Sequence, residues 1–117
     1  MKDFRQLKVW EKAHGVALAI YRATADFPRE ELYGLTSQLR RAAASVPTNV
    51  AEGCGRGSDA DFARFLQIAM GSACEVEYLC LLTHDLAYLA DEDYLGLHAQ
   101  VTEVKRMLAT LIKTVGN

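Results

Sequence analysis

The residues with the greatest chemical potential are few and scattered. A glycine-rich run, Gly53-Cys54-Gly55-Arg56-Gly57-Ser58, precedes a stretch of helical pattern, the arrangement in which backbone N–H groups and the helix dipole bind phosphate. No strand pattern precedes it, no Lys-Ser/Thr follows it, and Asp59 and Asp61 already place negative charge at the positive end of that helix. A helix C-cap followed by a chain reversal is the better reading, with Arg56 left as a point contact for a phosphate. His14, His84 and His98 fall on three separate segments. Cys74 and Cys80 are too far apart in sequence for a Cys-x-x-Cys pair, and no Glu-x-x-His pair faces an apolar stripe, so no metal centre is expected. Ser37, Ser45, Ser58 and Ser72 sit in no strained elbow, and no cysteine has a neighbouring His with an orienting carboxylate. His84 and Asp85 adjoin in sequence, so on a helix they diverge by about 100° and are not expected to pair. The residues indicate no enzyme and no cofactor.

Polar side chains in a regular row are a different matter. Gln38, Arg41, Ser45, Asn49 and Glu52 recur every three or four residues and form one ridge, with Arg40, Ala44, Pro47 and Ala51 beside it. Such a ridge is either an ordinary solvated face or half of a subunit interface. In the second case Arg41 needs a partner, and Glu75 is the candidate, because a buried charge must be paired. The charges are also unevenly spread. Through Arg64 the chain has ten basic and eight acidic residues; beyond it there are three basic and seven acidic. Arg40, Arg41, Arg56 and Arg64, with Lys8, Lys12 and Arg22, make up the candidate contacts for a polyanion, against the plainer reading of ordinary surface charge.

The elements that must position these residues are helices. Leu7, Trp10, Ala13, Ala17, Ile20 and Thr24 share one helical face. So do Leu32, Leu35, Leu39, Ala42, Val46 and Val50, and so do Tyr94, Leu97, Val101, Val104, Leu108, Leu111 and Val115. Punctuation at Phe27–Glu30, Gly53–Ser58 and Ala90–Asp93 is short, which predicts an all-α, antiparallel up-down-up-down four-helix bundle, a single domain over residues 1–117. Ser58 with Asp61 reads as a capping box, Asp91 as the cap of the last helix, and Pro47 as a kink inside the second.

The third segment, from Phe62 to Ala90, is more apolar than a bundle helix requires. Phe62, Phe65, Ala69, Ala73, Val76, Cys80, Thr83 and Ala87 form a core face, with Ile68, Leu79, Leu82 and Leu86 on its flank and Met70, Cys74, Leu81 and Tyr88 around the back. A lone bundle cannot cover all of these, and self-association through Leu79 and Leu82 together with the polar ridge would do so.

The chain has 117 residues, half of them hydrophobic, and a formal net charge of −2. That composition excludes a disordered chain and a uniformly basic nucleic-acid coat protein. The interspersed charges exclude a membrane span, because no stretch approaches about 18 uninterrupted apolar residues. Three cysteines without paired spacing, and a charged N-terminus with no apolar core after it, point to reduced thiols and a cytoplasmic protein.

Four strings carry a family resemblance: Phe4-Arg5-Gln6-Leu7-Lys8-Val9-Trp10-Glu11-Lys12-Ala13; Tyr33-Gly34-Leu35-Thr36-Ser37-Gln38-Leu39-Arg40-Arg41-Ala42-Ala43; Ser45-Val46-Pro47-Thr48-Asn49-Val50-Ala51-Glu52-Gly53; and Phe65-Leu66-Gln67-Ile68-Ala69-Met70-Gly71-Ser72. Together they resemble the bacterial four-helix-bundle family encoded in 23S rRNA intervening sequences, which includes proteins similar to the accessory variability determinants of diversity-generating retroelements. The resemblance implies a homopentameric barrel that would use the surplus apolar surface of the third helix. It also implies RNA, or an RNA-bound protein, as partner, with a protein-binding scaffold free of nucleic acid as the alternative. The retroelement proteins are basic, whereas this chain is slightly acidic.

Overall fold

The computed structural model describes residues 2–116. Four long helices account for most of them: α1 (Lys8–Ala23), α2 (Ser37–Cys54), α3 (Asp59–Asp85) and α4 (Asp91–Gly116). They pack up-down-up-down into a bundle 43 × 24 × 20 Å, with α1 and α3 each flanked by α2 and α4. The apolar stripes expected from the sequence form its core: Ala13, Ala17 and Ile20 from α1, Leu39, Val46 and Val50 from α2, and Leu97, Val101 and Leu108 from α4 are all buried.

The helix ends follow capping chemistry. The Ser58 hydroxyl accepts a hydrogen bond from the Asp61 amide at 3.1 Å, so Ser58 caps α3 as its sequence suggests. Asp91 does not cap α4. It is the first helical residue, and its carboxylate is instead 2.6 Å from His84 Nε2 in the last turn of α3. An acid at one helix N-terminus thereby meets a basic ring at the preceding C-terminus, which suits both dipoles. α2 runs unbroken through the buried Pro47.

Two stretches depart from the sequence reading. Leu32 does not belong to α2. Residues Leu32–Thr36 form a wide π-type turn with non-helical backbone at Gly34 (φ −111°, ψ −114°), and Leu32 stays exposed. Glu31 organises this turn: its carboxylate accepts from the Leu35 amide at 3.2 Å and from the Tyr88 hydroxyl at 3.2 Å. The hydrogen bond to Glu31 raises the Tyr88 phenol above its usual range. The second departure is at the end of α3, which stops at Asp85 and not at Ala90. Ala87 adopts left-handed backbone (φ 63°), the Tyr88 amide donates to the Thr83 carbonyl at 2.9 Å and the Ala87 amide to that of His84 at 2.9 Å. This is a Schellman termination with alanine where glycine is usual. Ala87 is therefore exposed, outside the core face expected for it, and Leu89 folds back into the core.

By length and composition α3 could cross a membrane, yet only 39% of its most apolar 18-residue stretch is buried in the bundle. Phe62, Phe65, Ala69, Ala73, Val76, Cys80 and Thr83 face inward as expected, and Leu66 joins them. Leu79, expected at a subunit interface, is 3% exposed and belongs to the bundle's own core. α3 turns about 100° per residue, which carries Leu79 to the same side as Val76 and Thr83.

Candidate interaction surfaces

The seven candidate cations do not form one patch. Lys8, Lys12 and Arg22 lie at i, i+4 and i+14 along α1, on one stripe. All three are exposed, and none forms an ion pair among the described residues. Arg40 has an internal role. Its Nε donates to Thr24 Oγ1 at 2.8 Å, its guanidinium donates to the Tyr21 carbonyl at 3.2 Å, and it stacks on the Tyr21 ring at 4.8 Å. It thus ties α2 to the carbonyl-rich end of α1. Arg56 and Arg64 sit at the far end of the bundle, roughly 24 Å from Arg40 along α2 at 1.5 Å per residue. Both lie over the Phe65 ring, at 4.8 and 4.6 Å, and both approach Asp61, at 3.9 and 3.7 Å. Among Arg40, Arg41, Arg56 and Arg64, Arg41 alone has neither an ion pair nor a hydrogen bond among the described residues, and it is exposed.

The polar ridge of α2 splits into two parts. Ser45 Oγ meets Ser72 Oγ at 2.8 Å, and the Asn49 amide donates to the Ser45 carbonyl and hydroxyl at 2.8 and 2.9 Å. These groups fasten α2 to α3 and satisfy each other. At the end of the row Gln38 Nε2 donates to Glu75 Oε2 at 3.3 Å, so within the chain Glu75 pairs with Gln38 and not with Arg41. A neutral amide leaves the Glu75 charge uncompensated. Glu52, also exposed, has no ion pair among the described residues.

Beside the ridge, α1 and α2 enclose an open groove of about 660 Å³, which the sequence reading missed. Trp10, Leu18 and Tyr21 form its α1 wall and Ala44, Pro47 and Ala51 its floor. Small residues on α2 leave the space, and large ones on α1 stand over it. The aromatic wall is preassembled: Phe4 packs edge-on to Trp10 at 4.8 Å, and His14 stacks on Trp10 at 5.0 Å. The Ala44, Pro47 and Ala51 row was the available signal, but which residues face it depends on how α1 crosses α2. A second, smaller hollow continues the groove past Tyr21 toward Tyr33, Arg40 and Arg41. On α3 the exposed positions Arg64, Ile68, Gly71, Glu75, Tyr78 and Leu81 make a continuous outer stripe; Ile68 is 41% and Tyr78 58% exposed. Leu82, the other expected interface leucine, is half-buried against the core.

Glu11 and His14 have the Glu-x-x-His spacing, but both point outward. Among the described residues no group of three His, Cys, Asp or Glu side chains is placed to hold a metal ion. His84 does approach Asp85, at 3.6 Å through Nδ1, contrary to the sequence expectation, because Asp91 draws the ring toward the helix end where the two side chains converge. The ring also stacks on Tyr94 at 4.4 Å, and this cluster joins α3 to α4. Of the three thiols, Cys54 and Cys80 are buried and Cys74 is exposed. Burial raises the Cys54 thiol and pushes that of Cys80 up to about 12.

The fold and its surfaces define a small four-helix-bundle protein with an open groove between α1 and α2 and an exposed stripe along α3. Residues 5–110 match the family described as 23S rRNA-intervening sequence protein, and the chain belongs to that family. Among solved structures it is similar to a protein of unknown function from the S23 ribosomal protein family of Bacteroides thetaiotaomicron. The two chains are 28% identical, with a TM-score of 0.81, over 90% of this chain and 98% of the other. No curated protein matches the chain.

Proposed function

We propose that the protein is a non-enzymatic subunit of a homo-oligomer, pentameric as the family resemblance implies, that contacts RNA or an RNA-bound partner through cations on α1. The observation that carries the RNA contact is the stripe of Lys8, Lys12 and Arg22, three exposed cations on one helix face with no ion pair among the described residues. Their charge is available to phosphates without first breaking an internal bond. Assembly would repeat the stripe around the oligomer and convert weak single contacts into avidity. The solved neighbour's ribosomal-protein family name points toward the same class of partner. Arg40, Arg56 and Arg64 contribute less, since their guanidinium groups already have partners.

The test is binding to structured RNA, such as a fragment of large-subunit rRNA, as a function of salt. Affinity should fall steeply with salt, by a logarithmic slope of about 0.7–0.9 per phosphate contacted. Reversing Lys8, Lys12 and Arg22 to Glu should abolish binding with the fold intact. Absence of measurable binding at low salt removes the RNA role. One observation favours the alternative, a protein-binding scaffold: the cations divide between the two ends of the bundle and do not converge. A pulldown rich in one protein and free of RNA would establish it.

A further inference from the structure

The two apolar surfaces described above lie on different sides of the bundle, the groove between α1 and α2 and the stripe along the outside of α3. Surfaces so placed cannot meet within one chain. They can meet between copies, head to tail, and every added copy leaves the same pair of surfaces free until a ring closes.

The levels of the helices show how well they would match. Within the chain, Gly53 lies level with Phe62, Ser45 with Ser72, and Gln38 with Glu75. A copy related by rotation about an axis parallel to the bundle keeps these levels. Its α3 then brings Arg64 level with the first copy's Glu52, Ile68 with Thr48, Gly71 with Ala44, and Glu75 with Arg41. Opposite charges meet at both ends of this row, and the smallest residues meet in the middle, where two helices must approach most closely. Three of the charges concerned are left over inside the chain: Glu52 and Arg41 have no ion pair among the described residues and Glu75 has only the Gln38 amide, whereas Arg64 shares Asp61 with Arg56, at 3.7 Å.

We propose that the outer stripe of α3, Arg64, Ile68, Gly71 and Glu75, docks along α2 at the α1–α2 groove of a second copy, with Arg64 against that copy's Glu52 and Glu75 against its Arg41. Ile68 then covers the groove floored by Ala44, Pro47 and Ala51, and Tyr78, level with Gln38, lies toward the smaller hollow beside Arg40 and Arg41. The interface is heterologous, and the basic stripe of α1 remains outside it. This inference rests on the reading of the protein as a homo-oligomer and specifies which surfaces form it.

The test uses the full chain in a Cys74→Ser background, in which the two remaining thiols are buried. Thr48→Cys subunits and Ile68→Cys subunits are prepared separately, mixed under exchange and oxidised. A disulfide-linked dimer should form only in the mixture, and a chain carrying both substitutions should give a ladder of covalent oligomers. In parallel, Arg41→Glu and Glu75→Arg should each raise the concentration needed for half-assembly by at least about tenfold, and the double variant should restore it. Light scattering on the wild type separates the two levels of the argument. A monomer at all concentrations overturns both the oligomer and the interface. An oligomer whose mixed cysteine variants do not cross-link, or whose charge reversals show no mutual rescue, overturns this interface alone. So does oxidation of wild-type Cys74 to a self-linked dimer, because a two-fold arrangement of α3 on α3 would bring that residue to its own copy.

Discussion

Replacing Gly53 by alanine sets two effects of known sign against each other. Gly53 is buried in the last turn of α2, where α3 begins its return. In a helix interior alanine is favoured over glycine by about 1 kcal/mol, and on propensity alone the variant would be more stable. The added Cβ, however, would lie 2.9 Å from Phe62 Cδ1, 3.0 Å from Phe65 Cβ and 3.4 Å from the Phe62 carbonyl oxygen. The Phe65 Cβ is fixed to its backbone, and the Phe62 ring is 2% exposed with no room to swing. Relief therefore requires α2 and α3 to part by several tenths of an ångström at the turn that Arg56, Arg64 and Lys2 stack upon. Overpacking of this kind costs about 1–3 kcal/mol. The net expectation is destabilisation by about 1 kcal/mol, read as a fall in Tm of roughly 4 °C for a domain of this size. Thermal unfolding followed by circular dichroism at fixed protein concentration measures it. Gly15→Ala is the control, since a Cβ there meets nothing within 4 Å and the helix-propensity gain should appear undiminished. A Gly53→Ala variant as stable as the wild type, or more so, would refute the reasoning that close packing at this turn demands glycine.

Other substitutions test the remaining readings. Ala87→Gly relieves an L-residue held at φ 63° while keeping both terminating hydrogen bonds of α3, and should stabilise by about 1 kcal/mol; an unchanged or lower Tm would contradict it. Arg40→Ala removes two hydrogen bonds and a ring contact at the end of α1, so it should lower stability by about 1–3 kcal/mol in urea titrations while leaving RNA affinity nearly unchanged, which separates a structural arginine from a binding one. Burial holds the Cys80 thiol near 12 in the folded protein against 9.0 when free, so its contribution is intact below pH 9 and lost as pH rises toward 12, at up to about 1.4 kcal/mol per pH unit. The stability gap between wild type and Cys80→Ala should accordingly narrow between pH 8 and pH 10.5, and a constant gap would show that the thiol does not titrate as described.

Much of the bundle was legible in the order of residues. Apolar positions repeating every three or four residues identify a helix and its inward face before any packing is known, which is why Leu39, Val46, Val50, Leu97 and Val101 were placed correctly. Ser58 likewise signals a helix start, because its capping bond is local. The end of α3 was not legible: Ala87 has no chemical mark of a left-handed turn, and the apolar pattern runs on past the point where the chain leaves the helix. The π-type turn at Leu32–Thr36 was hidden for a different reason: the bond from Tyr88 that helps to fix Glu31 there joins residues far apart in sequence.

The candidate site divides along that line. From sequence come the types and helical faces of Lys8, Lys12, Arg22, Arg41 and Glu52, because these depend only on periodicity within one helix. Which side chains remain free depends on neighbours across helices: Arg40 is taken up by Thr24 and Tyr21 and Leu79 by the core, Glu75 has only the neutral Gln38 amide, and Arg41 is left over. The α1–α2 groove exists only because small residues of one helix face large ones of another. Periodicity is a property of one helix and can be read along the chain, whereas charge satisfaction and concavity belong to pairs of helices and arise only once the bundle closes.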